Sequence, residues 1–372
     1  METTTNRNPN LTVKSMVDVA KQEPPVRPEG ILNFPQSAIG MTKERVIGQD
    51  RAVGWFVSML RLMAIRNDRV IHGNVDEEDC PRLNGILLMG ETASGKTHLV
   101  KTALKVCGIE SVLVDCSQLT GAGWRGGDLH DVAKDAASLL ERTNSEQIAV
   151  VFDEFDKAAR KPTDQFDSSF NVQPGLLKLL DGGVYHSMQS GGDAYGDTSV
   201  DLDTNRCLFI FLGAFSGIED VVRKRLRRSS QNLGFLADTA NIEKAGGDNS
   251  SVRELVEACD LAQYGFMQEL LGRLSAVCCL PFLSVESLSH IVKGASCSFE
   301  RKFDALMPQG VIFFIEQDAA DLIAQLAFDS GLGARKIEGV LAPIVAEKLA
   351  SLDSCNTSRD IVIRPCDIER ID

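Results

Sequence analysis

An eight-residue run, Gly90-Glu91-Thr92-Ala93-Ser94-Gly95-Lys96-Thr97, limits the folds open to this chain more than any other feature. It fits G-x-x-x-x-G-K-[S/T], follows a short apolar segment at 85–89 and precedes a helical pattern over 96–106. Its glycines let the backbone curl so that successive N–H groups point inward at an anion. The helix that follows presents its positive end to the same point. Strand, phosphate loop and helix in that order open an α/β nucleotide-binding fold. Lys96 is then placed for the β- and γ-phosphates of a nucleoside triphosphate, and Thr97 for Mg²⁺.

The rest of the chain carries this pattern forward. Apolar runs at 111–114, 148–152, 207–212 and 275–280 alternate with helical stretches such as 128–140. Short apolar runs separated by helices indicate a parallel sheet covered on both faces. After Pro281 the character changes to helical patterns at 284–306, 317–329 and 334–352. Apolar runs at 311–315 and 360–364 interrupt and close them. The expected organisation is a polar N-terminal arm over 1–29, a large α/β ATPase domain over 30–280 and a smaller helix-rich domain over 281–372. The Gly-, Ser- and Asp-rich stretch 187–206 and the polar stretch 236–251 are expected as surface loops.

The run Ile148-Ala149-Val150-Val151-Phe152 ends in Asp153 and Glu154, 57 residues after Lys96. Strands often end in polar turns, so this pair is weak by itself. Together with the phosphate loop it has a clear chemical role. Asp153 suits the Mg²⁺ shell, and Glu154 suits activation of the attacking water.

Composition excludes several classes. The net charge of -13, from 39 Lys+Arg against 52 Asp+Glu, argues against a general nucleic-acid or anionic-membrane surface. Arg223-Lys224-Arg225-Leu226-Arg227-Arg228 is the one strong basic patch and reads as a solvated helix face. No run of about 18 apolar residues predicts a transmembrane helix. Ten scattered cysteines without a C-x-x-C pair point to free thiols in a reducing, cytoplasmic compartment. The five histidines show no metal-ligand spacing.

Further ordered motifs carry a family likeness. Val46-Ile47-Gly48-Gln49 lies upstream, and Phe155-Asp156-Lys157 extends the second motif. Leu212-Gly213-Ala214-Phe215, Leu271-Gly272-Arg273-Leu274 and Gly333-Ala334-Arg335 follow. From about residue 30 to 372 the chain resembles the AAA+ ATPases, and among them the ClpX unfoldases. The resemblance implies that Val46 and Ile47 pack around adenine, and that Arg335 contacts the γ-phosphate from the small domain. It implies that Arg273 is an arginine finger reaching a neighbouring subunit's ATP. Read without it, Arg273 is a surface arginine at a helix end and Arg335 part of a helical ion pair.

The resemblance also implies a homo-hexamer acting on protein substrates. Gly123-Trp124-Arg125-Gly126 stands where the family has its pore loop, with Trp for the usual Tyr and Arg for Val. Leu233-Gly234-Phe235 stands where the family docks a ClpP-like peptidase. The family's N-terminal zinc domain and its basic Arg-Lys-His loop have no counterpart. The function implied is ATP-dependent unfolding and threading of proteins. Two alternatives stay open: a remodelling factor without a protease, and a nucleic-acid-associated motor.

Overall fold

The computed structural model describes residues 37–73, 75–81, 83–119, 129–159, 172–189, 198–233, 249–352 and 360–368. Five strands form a wholly parallel sheet: β1 (Ile86–Met89), β2 (Ser111–Asp115), β3 (Ile148–Asp153), β6 (Cys207–Gly213) and β7 (Ala276–Cys279). Their order is β2-β3-β6-β1-β7. The three inner strands are almost wholly buried, whereas the edge strands β2 and β7 are partly exposed. That gradient explains the sequence pattern. Inner strands covered on both faces need continuous apolar runs and carry no alternation.

Helices α1 (Asp50–Ile71), α2 (Lys96–Cys107), α3 (Leu129–Thr143) and α4 (Ile218–Leu233) belong to this part of the chain. One apolar core gathers β1, β3, β6 and α3. A chain of aromatic rings runs through it. Phe152 stacks on Phe211 at 5.0 Å, Phe211 meets Phe155 at 4.6 Å, and Phe266 touches both Phe155 and Phe215. Such pairs add about 1 kcal/mol each beyond the area they bury.

A second core begins at Leu283 and closes at Ile368. It is built from α5 (Val285–Val292), α6 (Gln317–Asp329), α7 (Ala334–Leu352) and a short parallel pair, β8 (Phe313–Ile315) with β9 (Ile361–Ile363). The expected continuous helix over 284–306 is two helices, α5 and a second over Phe299–Asp304. Ser298 accepts from the Arg301 N–H and starts the second one afresh.

Of the stretch expected as a loop at 187–206, the described residues lie mostly in two paired strands. Strands β4 (Val184–Gln189) and β5 (Thr198–Asp203) pair antiparallel, with Val184 opposite Asp203 and Gln189 opposite Thr198. Tyr185, Val200 and Leu202 pack on the main core, and that alternation overrides the Gly-, Ser- and Asp-rich composition. Asp201 pairs with His186 at 2.7 Å, and Asp203 caps the Asn205 N–H.

The nine described cysteines are free thiols. Burial pushes Cys207 and Cys279 up to about 12, so both behave as small apolar groups. Among the described residues no helix is long and apolar enough to cross a membrane.

Candidate nucleotide site

The carboxyl ends of β1, β3 and β6 lie side by side, with Met89 in register with Gly213. The turns that leave them form one wall of a cavity of about 460 Å³, and the second core supplies the facing wall. Ligand sites in open α/β sheets occupy this end of the strands. Three of the four described non-glycine residues with positive φ sit in these turns: Ala93 (66°), Glu154 (53°) and Phe215 (50°). Left-handed backbone at ordinary residues is costly and gathers at functional sites.

Sequence and packing together fix the side chains. After β1 the chain turns through 90–95 into α2, so Lys96 and Thr97 open the helix beside the loop. The Lys96 ammonium donates to the carbonyls of Gly90 (2.7 Å) and Glu91 (2.8 Å). It is nine-tenths buried. Burial pushes its pKa down to about 8, opposed by Asp153 and reinforced by the positive charges of Arg253 and Arg335.

Thr97 Oγ1 donates to Asp153 Oδ2 at 2.8 Å, which joins the two motifs that the sequence holds 56 positions apart. These are hard oxygen donors of the kind Mg²⁺ takes. Glu154 follows at the exposed lip of the cavity. Phe155 plunges into the aromatic chain directly after it and anchors the turn. Asp156 accepts the Ala214 N–H at 3.0 Å and ties the β3 turn to the β6 turn.

On the opposite wall Arg335 enters from the start of α7. Gly333, two residues earlier, lies so close to the loop that a Cβ there would stand 3.2 Å from the Ala93 carbonyl. A side chain there would crowd the loop, and the positive φ of 50° also favours glycine, so Gly333 eases this close approach of the second core. Lys96 and Arg335, both lining the cavity, suit a polyphosphate.

Several expected residues lie elsewhere. Val46 is buried and Ile47 half-buried, and neither lines this cavity. Their segment is nonetheless held beside it. The Glu44 carbonyl accepts from Ser296 at 2.8 Å, and the Arg45 carbonyl accepts from Cys297 and lies 3.1 Å from His98 Nε2. Arg273 is also outside the cavity. Its guanidinium grips Asp181 through Nε (2.7 Å) and Nη2 (2.6 Å), and Nη1 donates to the Glu269 carbonyl. Leu233 is the last residue of α4. Gly234 and Phe235, the pore-loop positions Gly123, Trp124, Arg125 and Gly126, and the arm 1–29 lie outside the described residues.

Other contributors had no sequence signal. Arg253 and Glu219 form a buried ion pair, and Arg253 donates to the Ala214 carbonyl at 2.7 Å. The basic patch on α4 is partly neutralised. Arg225 binds Asp260, Glu257 and the Leu255 carbonyl, and Arg223 contacts Asp220 and Asn249. Away from the cavity His72 lies 3.4 Å from Asp68 and 3.9 Å from Glu146, a surface grouping that histidine spacing alone does not show.

Comparison with known proteins agrees with this geometry. Residues 82–277 match the AAA domain (Cdc48 subfamily), which covers more than half of the chain. The ATP-dependent Clp protease ATP-binding subunit ClpX of Treponema denticola is 26% identical over 363 residues, spanning 94% of this chain and 85% of that protein. The protein of the same name from Porphyromonas gingivalis is 28% identical over 279 residues, 73% of this chain and 67% of that protein. With its phosphate loop, Thr97–Asp153 contact and five-stranded parallel sheet, the chain belongs to the AAA domain family and is a ClpX-like AAA+ ATPase.

Proposed function

We propose that this ATPase is a ring-forming protein unfoldase that threads substrate proteins through a central pore. The observation that carries the reading is the joint cavity. Lys96, Thr97, Asp153 and Glu154 come from one core, and Arg335 reaches them from the other. A triphosphate held there touches both the 30–280 and the 281–372 portions, so its cleavage alters their relation. Likeness to ClpX over 94% of the chain supports protein as the substrate class.

The loop N–H groups and Lys96 hold the β- and γ-phosphates. Thr97 and Asp153 hold Mg²⁺, which supplies charge neutralisation at the phosphates when bound. Glu154 orients water and accepts its proton, and Arg335 stabilises charge that develops at the γ-phosphate. Val46 and Ile47 flank the base. Arg273 exchanges Asp181 for a neighbouring subunit's phosphate, so hydrolysis depends on assembly. An arginine in that role is worth about 10³–10⁵ in rate. Trp124, flanked by Gly123 and Gly126, grips the threaded chain, and Arg125 disfavours basic segments. Leu233, Gly234 and Phe235 form the docking point for a ClpP-like peptidase. The ring is a homo-hexamer and works in the cytoplasm.

The test is a Glu154→Gln trap. The variant should bind ATP, lose turnover by about 10²-fold or more, and retain captured proteins that mass spectrometry identifies. Near-normal hydrolysis removes Glu154 as the base. Capture of nucleic acid in place of protein overturns the unfoldase reading.

A further inference from the structure

Gln49 is only 2% exposed, yet its side chain does more than fill space. Its Nε2 donates to the Ser94 carbonyl at 3.0 Å and to the Pro281 carbonyl at 2.8 Å. Ser94 belongs to the phosphate loop. Pro281 belongs to the linker between β7 and α5, where the first core ends and the second begins. Two carbonyls face one amide nitrogen, so the amide has one workable orientation. Turned over, its oxygen would meet two acceptors and no donor. In the orientation present, Oε1 is buried without a partner. An unmet buried acceptor is unfavourable, so this site holds both carbonyls at a cost in its own polar satisfaction.

The neighbouring residue reinforces the tie. Gly48 has φ +76°, and a Cβ there would stand 2.6 Å from Ser287 Oγ. Residues 48 and 49 are therefore pressed against the first turn of α5, whose cap Ser284 accepts from the Ser287 N–H. A backbone change at Ser94 has two outcomes at this point: the amide follows and draws Pro281 with it, or one of the two bonds breaks.

We propose that Gln49 is a positioning residue that couples the phosphate loop to the linker between the two cores. Through it, triphosphate binding at 90–97 is passed to 281–287. The proposal rests on the reading of 90–97 as the triphosphate site, and the experiment separates the two.

Hydrogen exchange followed by mass spectrometry, on the full chain with and without ATPγS and Mg²⁺, reads both segments at once. The wild type should slow exchange in peptides covering 90–100 and change it in peptides covering 282–288. Gln49→Met lacks the donor, and Gln49→Glu keeps the shape but offers no donor when ionised and one when protonated, too few to hold both carbonyls. Both should keep the loop response, while the linker response falls by about fivefold or more. Peptides over β3 and β6 serve as the folding control. If Gln49→Met loses their protection, Gln49→Asn, an amide too short to span both carbonyls, carries the same expectation. A wild-type-sized linker response in a folded variant overturns the coupling. Absence of any loop response in the wild type means that the triphosphate reading itself is wrong, and the coupling falls with it.

Discussion

Lys96 offers a test in which binding and stability move in opposite directions. Its ammonium is nine-tenths buried and titrates at about 8 instead of the usual 10.5, chiefly because burial penalises the charge. A triphosphate needs the charged form. If only that form binds, the apparent Kd scales with the inverse of the charged fraction. It should rise about tenfold between about pH 7 and 9. Stability has the other sign. Between about 8 and 10.5 the unfolded chain holds a proton that the folded chain has released. Stability from this group therefore rises with pH across that window, by about 3 kcal/mol in total. Lys96→Arg is the control, since a guanidinium stays charged throughout. Titration with a fluorescent ATP analogue at several pH values gives Kd, and urea unfolding at the same values gives stability. A wild-type Kd that stays flat from about pH 7 to 9, or that rises equally in Lys96→Arg, would refute the reasoning.

Two other substitutions test assembly and partnership. Arg273→Ala should leave nucleotide affinity within about threefold of wild type and cut hydrolysis by about 10³-fold, read as steady-state ATPase beside equilibrium binding. A loss of only a few-fold would keep Arg273 as the partner of Asp181 alone. Phe235→Ala should abolish degradation by an added ClpP-like peptidase with ATPase unchanged; undiminished degradation would refute docking through Phe235, and a wild type that supports no degradation would favour a remodelling role without a protease.

The legible parts of the molecule were those governed by local rules. The inner strands read as apolar runs because both faces are covered. Helices α6 and α7 read cleanly from their periodicity. Thr97 and Asp153 share a Mg²⁺-binding chemistry that the two motifs spell out locally, and the fold sets their side-chain oxygens 2.8 Å apart. What failed had non-local causes. The strand pair β4–β5 hides its core-facing Tyr185, Val200 and Leu202 among Asp, Gly and Ser. One gap is local: the 22-residue helix α1 carries a stripe of Ala52, Val53, Phe56, Val57 and Leu60, but its N-cap Gln49 makes no side-chain cap bond, so no capping signal marks its start. The Arg253–Glu219 and Arg273–Asp181 pairs join residues far apart in sequence, and no spacing rule announces them.

The row of rings from Phe152 through Phe211, Phe155 and Phe266 to Phe215 has a mechanical consequence. Asp153, Glu154 and Asp156 are rooted in the same block of aromatic packing as Ala214, so these turns cannot shift one at a time without prising rings apart. The carboxylates thus form a stiff anvil. The opposing jaw, with Arg335 at its tip, is hung on a separate core and meets the anvil where Gly333 touches Ala93. On the function proposed above, a change at this cavity is expected to swing the jaw and to leave the anvil unbent.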